Sequence, residues 1–136
     1  GAPSTWIADL ERIGGSLGLA FQLVDDLIGA FGTAEQAGKD AGSDLRESKR
    51  TPLIALARES AQWPLVTSTL AVAHTGPIAV RHAQSALEAS GARERLHQLI
   101  VENLSDVRRR ASRSTLPPRA VTLADTLAAA VEERIP

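Results

Sequence analysis

The stretch GGSLGLAFQLVDDLIGAF, Gly14 to Phe31, decides the fold. Taken as a helix at about 100° per residue, it brings Gly14, Gly15, Gly18, Gln22, Asp25, Asp26 and Gly29 within about 120° of one another. Leu19, Ala20, Phe21, Leu23, Val24, Leu27 and Ile28 cover the rest of the circumference. A surface helix has a narrow apolar stripe and a wide polar face. Here the proportions are reversed, which implies a buried helix with one wet seam.

Upstream of this stretch the same helix continues, and downstream further helices follow. Ser4 is a plausible N-cap, so the first helix should run from residue 4 to 31. Proline, glycine and hydroxyl residues punctuate the remainder, and no segment shows the strict alternation of a half-buried strand. The fold class is all-α, with about six helices. Thr51-Pro52 is a strong start, a hydroxyl cap followed by a proline whose missing N–H costs nothing at the first helical position. That helix should reach about Ala61, and others should follow over Pro64–His74, Pro77–Ser90, Ala92–Ser112 and Pro118–Glu133. Residues 32–50, GTAEQAGKDAGSDLRESKR, read as a long polar loop. In the Ala92 helix, Leu96, Leu99, Ile100, Leu104 and Val107 share a face, and Arg108, Arg109, Arg110 and Arg113 end it where cations suit the helix dipole.

Composition narrows the function. The chain has 136 residues, 43% apolar, with 15 basic and 16 acidic side chains and no cysteine. A net charge of -1 gives no electrostatic reason to expect nucleic acid or an anionic membrane surface. Without cysteine there are no disulfides, thiolate metal sites or thiol catalysis. Aromatics make up only 3%, so the core is aliphatic, which suits close-packed helices. The run Ser60–Val80 has no formal charge, but Pro64, His74, Gly76 and Pro77 interrupt it, which implies two short buried helices instead of a membrane span. No basic segment followed by an apolar run opens the sequence, and a cytoplasmic location is expected. His74, His82 and His97 lack metal-ligand spacing, and no phosphate-binding GxxxxGK[ST] motif is present.

The chemistry lies on the seam. Burying Asp25 beside Asp26 without a cation would cost several kcal/mol and force one to protonate. A hard divalent ion resolves the conflict, since Mg2+ is held by one or two carboxylates with water and phosphate oxygens in the remaining positions. Arginines from a neighbouring helix would resolve it equally well. The loop that follows carries Gly38-Lys39, Gly42-Ser43-Asp44, Arg46, Lys49 and Arg50. Carboxylate-held Mg2+ on one side and lysines on the other make the clamp that a diphosphate needs.

The segments FQLVDDLI (Phe21–Ile28) and GKDAGSDLRESKRT (Gly38–Thr51) resemble the second aspartate-rich motif and following loop of the trans-prenyl diphosphate synthases, the polyprenyl synthetase family that includes farnesyl and geranylgeranyl diphosphate synthases. The likeness is specific over Gly14–Ala57 and weaker around Ala86–Ala92. It implies an isoprenoid-synthase-type helical bundle and head-to-tail condensation of isopentenyl diphosphate with an allylic diphosphate, with geranylgeranyl diphosphate the leading product. In the family's terms Asp25 and Asp26 ligate Mg2+, Asp44 acts through metal-bound water, Lys39 and Lys49 contact the diphosphate, and Gln22 lies beside it. Two positions depart from the pattern. Gly29 stands where the motif usually has a third Asp, which implies weaker metal binding, and Ser48 stands where glycine is common.

The family's first aspartate-rich motif lies upstream of anything in this sequence. Residues 1–136 are therefore expected to be the C-terminal half of one synthase domain: the motif helix over 4–31, the diphosphate loop over 32–50 and the C-terminal helices over 51–136. Such a half should be inactive alone and should associate as a homodimer or with the missing N-terminal half. Two other readings remain: a catalytically silent partner subunit, suggested by Gly29, and a terpene cyclase or head-to-head synthase, against which the Lys39–Lys49 loop weighs.

Overall fold

The computed structural model describes all of residues 1–136, and every regular element in it is helical. Helix α1 spans Ser4–Phe31, 28 residues. It is followed by α2 (Ala34–Ala37), α3 (Ser43–Arg46), α4 (Pro52–Arg58) and α5 (Trp63–Val72), a 3-10 turn over Ala73–Thr75, and α6 (Pro77–Ala89), α7 (Ala92–Arg113) and α8 (Pro118–Glu133). The proline starts at Pro52, Pro77 and Pro118 all lie within the first turn of their helices. The Thr51 hydroxyl caps α4 by accepting from the Ile54 N–H at 3.4 Å. Helix α4 stops at Arg58, short of the expected Ala61, and the next helix starts at Trp63.

The chain divides into two compact units, Gly1–Val24 with Leu99–Ile135, and Asp25–Gln98 with Pro136. In the first, Ile13, Ala20, Leu23 and Val24 of α1 are buried, as are Ile100, Leu104, Val107 and Ala111 of α7 and Ala124, Ala128 and Val131 of α8. The α7 and α8 sets recur every three or four residues, the spacing of one helical face. Arg108 on α7 pairs with Glu132 on α8 at 2.9 Å. Ile7, Leu10 and Leu19 of α1 stay about half exposed, while Phe21 lies under the Arg134 guanidinium, 4.8 Å from its ring centre.

In the second unit Leu27, Leu45, Leu53, Ala57, Val66, Val80, Ala83, Leu87 and Leu96 form the core. Each fully buried leucine contributes roughly 1.5–3 kcal/mol relative to an exposed one. Helices α5 and α6 pack on each other. The Gln84 side-chain amide donates to the Ala30 carbonyl at 2.8 Å and ties α6 to the end of α1.

By length and composition α1 alone could cross a bilayer, and half of its most apolar window is buried. The segment 32–50, expected as loop, instead holds two four-residue helices. Helices that short leave no periodicity in a sequence. Thr33 and Gln36 close a capping box over α2, and Gly38 and Gly42 take the left-handed conformation at the end of α2 and the start of α3.

Candidate active site

Asp25 and Asp26 are adjacent, so their side chains leave α1 about 100° apart. The structure gives them different environments. Asp25 is exposed. Asp26 is only 7% exposed, and its Oδ2 accepts from the Leu53 backbone N–H at 2.8 Å, capping the start of α4. Its Oδ1 is buried without a hydrogen-bond partner. Burial pushes the Asp26 carboxyl above the usual carboxylate range. The Leu53 N–H and the nearby Thr51 hydroxyl pull it part of the way back, and the charge of Asp44 adds to the rise. An orphaned buried carboxylate oxygen that feels a second carboxylate is a place where a cation would be stabilised.

Asp44 sits in α3, in the segment that follows the seam helix. Its side chain is 15% exposed, and its Oδ1 lies 3.2 Å from Lys49 Nζ and 3.7 Å from Lys39 Nζ, both ammoniums being about half exposed. Asp44 is the main reason the Lys49 ammonium is pushed above its ordinary pKa. Backbone geometry makes this meeting possible. Ser48 adopts φ +53°, its N–H bonds Leu45 O at 3.3 Å, and the Lys49 N–H bonds Asp44 O at 3.1 Å. This is the paired-bond C-cap that ends many helices, here with serine in the left-handed position that glycine usually fills. The reversal turns Lys49 back onto Asp44.

Gly29 completes the arrangement. A Cβ built on Gly29 would collide with the Asp44 carboxylate, meeting Cγ and Oδ2 inside any tolerable contact and Oδ1 at 3.1 Å. Gly29 is one turn beyond the aspartate pair, and its side-chain direction falls between theirs on the helix. Asp44 therefore lies against the seam.

Five of the predicted residues, Asp25, Asp26, Lys39, Asp44 and Lys49, belong to the Asp25–Gln98 unit, and Lys39, Asp44 and Lys49 touch. Gln22 is exposed on α1, one turn before the pair. Sequence reasoning missed the Leu53 N–H and the Gly29–Asp44 contact. Ser48 stood out as a departure, but its conformation did not. No group of three or more Asp, Glu or His side chains gathers within metal-ligand reach. The donor set is thus hard oxygen in small number, which fits a Mg2+ ion that takes most of its ligands from water and phosphate. A cavity of about 640 Å3 lies elsewhere, among Arg12, Asp106, Arg109, Arg110 and Arg113. It lacks the lysine–carboxylate convergence, and Asp106 already engages Arg109 and Arg110.

The profile of the polyprenyl synthetase family matches residues 1–89. The chain belongs to the polyprenyl synthetase family. Among relatives of this polyprenyl synthetase chain, the geranylgeranyl diphosphate synthase of Mycobacterium tuberculosis is 53% identical over 55 residues, which cover 40% of this chain and 16% of that protein. The nonaprenyl diphosphate synthase of the same organism is 31% identical over 113 residues, 79% of this chain and 33% of that one. The crystal structure of geranylgeranyl pyrophosphate synthase from Corynebacterium glutamicum, complexed with isoprenyl diphosphate and magnesium, superposes with a TM-score of 0.87 at 32% identity and covers 98% of this chain. The chain spans 39% of that structure's length. The all-α fold is that of the family.

Proposed function

We propose that the protein containing this chain is an Mg2+-dependent trans-prenyl diphosphate synthase that condenses isopentenyl diphosphate with an allylic diphosphate, head to tail. The observation that carries this reading is the convergence of Lys39, Lys49 and Asp44 on the glycine face of the helix bearing Asp25 and Asp26.

Asp25 and Asp26 are the residues to hold Mg2+, with Asp44 acting on it through water. When bound, the ion supplies positive charge to diphosphate oxygens that become more negative as the leaving group departs. Lys39 and Lys49 share one oxygen of Asp44, and each ammonium keeps further N–H donors for a diphosphate. As the allylic carbon–oxygen bond breaks, its electron pair leaves on the diphosphate, where preplaced ammoniums meet the charge without reorganising. The double bond of isopentenyl diphosphate then attacks the allylic cation, a carbon–carbon bond forms, and a proton is lost. Gln22 is exposed one turn before the pair, and its role in this reading is to lie beside the diphosphate.

Geranylgeranyl diphosphate is the product we favour, on the names of the Mycobacterium and Corynebacterium relatives. The half-exposed Ile7, Leu10 and Leu19 support association with a second copy or with the preceding half of the synthase. A cytoplasmic location is part of the same proposal. A silent subunit is the second reading, favoured by Gly29. Incubation of the complete protein with isopentenyl diphosphate, allylic primers and Mg2+, followed by product sizing, should yield a lengthened prenyl diphosphate. Formation of product only after a separate partner is added would favour the silent subunit, and no product under either condition would overturn both readings.

A further inference from the structure

Gly29 is buried in the last turn of a long helix, at a position still inside the helix where alanine is ordinarily the better residue. A glycine held in such a place calls for a reason, and a neighbouring segment of the chain supplies one. The volume that any side chain would occupy is filled by the Asp44 carboxylate, from a different element of the fold. The same carboxylate receives both lysines of the candidate site, at 3.2 and 3.7 Å. The left-handed Ser48 turn that returns Lys49 to Asp44 fixes the geometry from the other side.

We propose that Gly29 is a positioning residue: the bare patch of α1 is a seat for the Asp44 carboxylate, which gives the seam its third carboxylate from α3 and holds Lys39 and Lys49 where a metal-bound diphosphate docks. The role of the seat in ligand binding rests on the prenyl synthase reading, whereas the seat itself rests on the contact alone. A side chain at position 29 lifts Asp44 off the helix and takes both ammoniums with it. On this account Gly29 is compensated from α3, and its presence is no mark of a silent site.

The test uses the complete protein and two readouts. The first is stability in denaturant. Gly29→Ala should lower the unfolding midpoint, opposite to helix propensity, and should raise it when made in an Asp44→Gly background, where the seat is empty. The second is binding of inorganic pyrophosphate by calorimetry in the presence of Mn2+, with Mn2+ occupancy followed by electron paramagnetic resonance. Gly29→Ala should weaken pyrophosphate binding at least tenfold. Asp44→Asn, which keeps the shape and removes the charge, should do the same, and the exchange Gly29→Asp with Asp44→Gly should recover most of the loss. If Gly29→Ala fails to fold, Asp44→Asn and the exchange carry the test. Equal effects of Gly29→Ala in both backgrounds, or unchanged pyrophosphate binding in Gly29→Ala or Asp44→Asn, would overturn the proposal. A parent protein that binds no pyrophosphate with Mn2+ overturns the functional reading, and with it the binding role of the seat; the position 29–44 coupling separates that outcome from failure of the seat itself.

Discussion

Two carboxylates in this chain each hold a pair of cations, and they do so in opposite ways. On α7, Asp106 engages Arg109 at 2.6 Å and Arg110 at 2.8 Å, partners three and four residues along its own helix. In α3, Asp44 engages Lys39 and Lys49, five residues to either side, and rests against a glycine of α1. The first cluster follows from helical spacing alone and would form on any exposed helix with that sequence. The second exists only because left-handed turns, a helix start and a missing side chain coincide. Arginines that bond a carboxylate on their own helix need no second element to bring them to it. Lysines gathered from both ends of a loop on one shared oxygen keep donors available for an incoming anion.

The contrast can be broken most severely beneath the loop cluster. Asp26→Ala leaves the Leu53 N–H without its acceptor in a buried place, a loss of roughly 1–3 kcal/mol, to be read from denaturant unfolding. Asp26→Asn should cost much less, because the amide oxygen still accepts. The two proteins should also differ with pH. Burial raises the Asp26 pKa above 3.8, so the folded state holds the proton more tightly than the unfolded chain. The wild type is then most favoured relative to Asp26→Asn below pH 3.8 and loses that advantage as pH rises through the raised value. A pH-independent difference between the two would contradict this.

The helical cluster should respond far less. Arg110→Ala is expected to change stability by less than about 1 kcal/mol, and most of that change should vanish in about 1 M salt. Its pH dependence has the opposite sense. Asp106 is held below 3.8 mainly by its bond from Arg110, so its contribution is complete above pH 3.8 and fades as pH falls through the lowered value. Matching pH profiles for Asp26→Asn and Arg110→Ala would erase the distinction between the clusters.

The smallest effect expected is a gain. Ser48→Gly relieves a left-handed serine, worth about 1–2 kcal/mol, against the roughly 0.5–1 kcal/mol of extra freedom that glycine has when unfolded. A net rise of about 0.5 kcal/mol is the expected result. A loss of stability would mean that the serine side chain contributes more than its backbone strain costs.

Much of the fold was legible because it depends on local signals. The one-sided seam of α1 and the prolines at 52, 77 and 118 mark helices that the structure reproduces closely. The four-residue helices α2 and α3 were not legible, because their stability comes from caps and burial more than from periodicity. At the candidate site, the sequence singled out Asp25, Asp26, Lys39, Asp44 and Lys49, of which Lys39, Asp44 and Lys49 meet in the structure. Which member of the aspartate pair turns inward could not, since adjacent helical residues differ only in direction and the decision is made by α4, far along the chain. The Gly29–Asp44 contact was hidden for the same reason. It joins residues fifteen apart in sequence, and their meeting depends on the conformations of Gly42 and Ser48.

The bond from Leu53 N–H to Asp26 joins residues separated by 27 positions and encloses the whole segment that carries Lys39, Asp44 and Lys49. It works as a drawstring at the neck of a pouch. With the neck closed at the base of α4, the ends of the segment cannot drift apart, and the entropy of bringing them together is spent once, on folding, and not at each encounter with a ligand. The lysines can adjust inside the pouch while its mouth stays fixed to the aspartate helix. Loosening that single bond should therefore be felt at Lys39 and Lys49, although neither touches it.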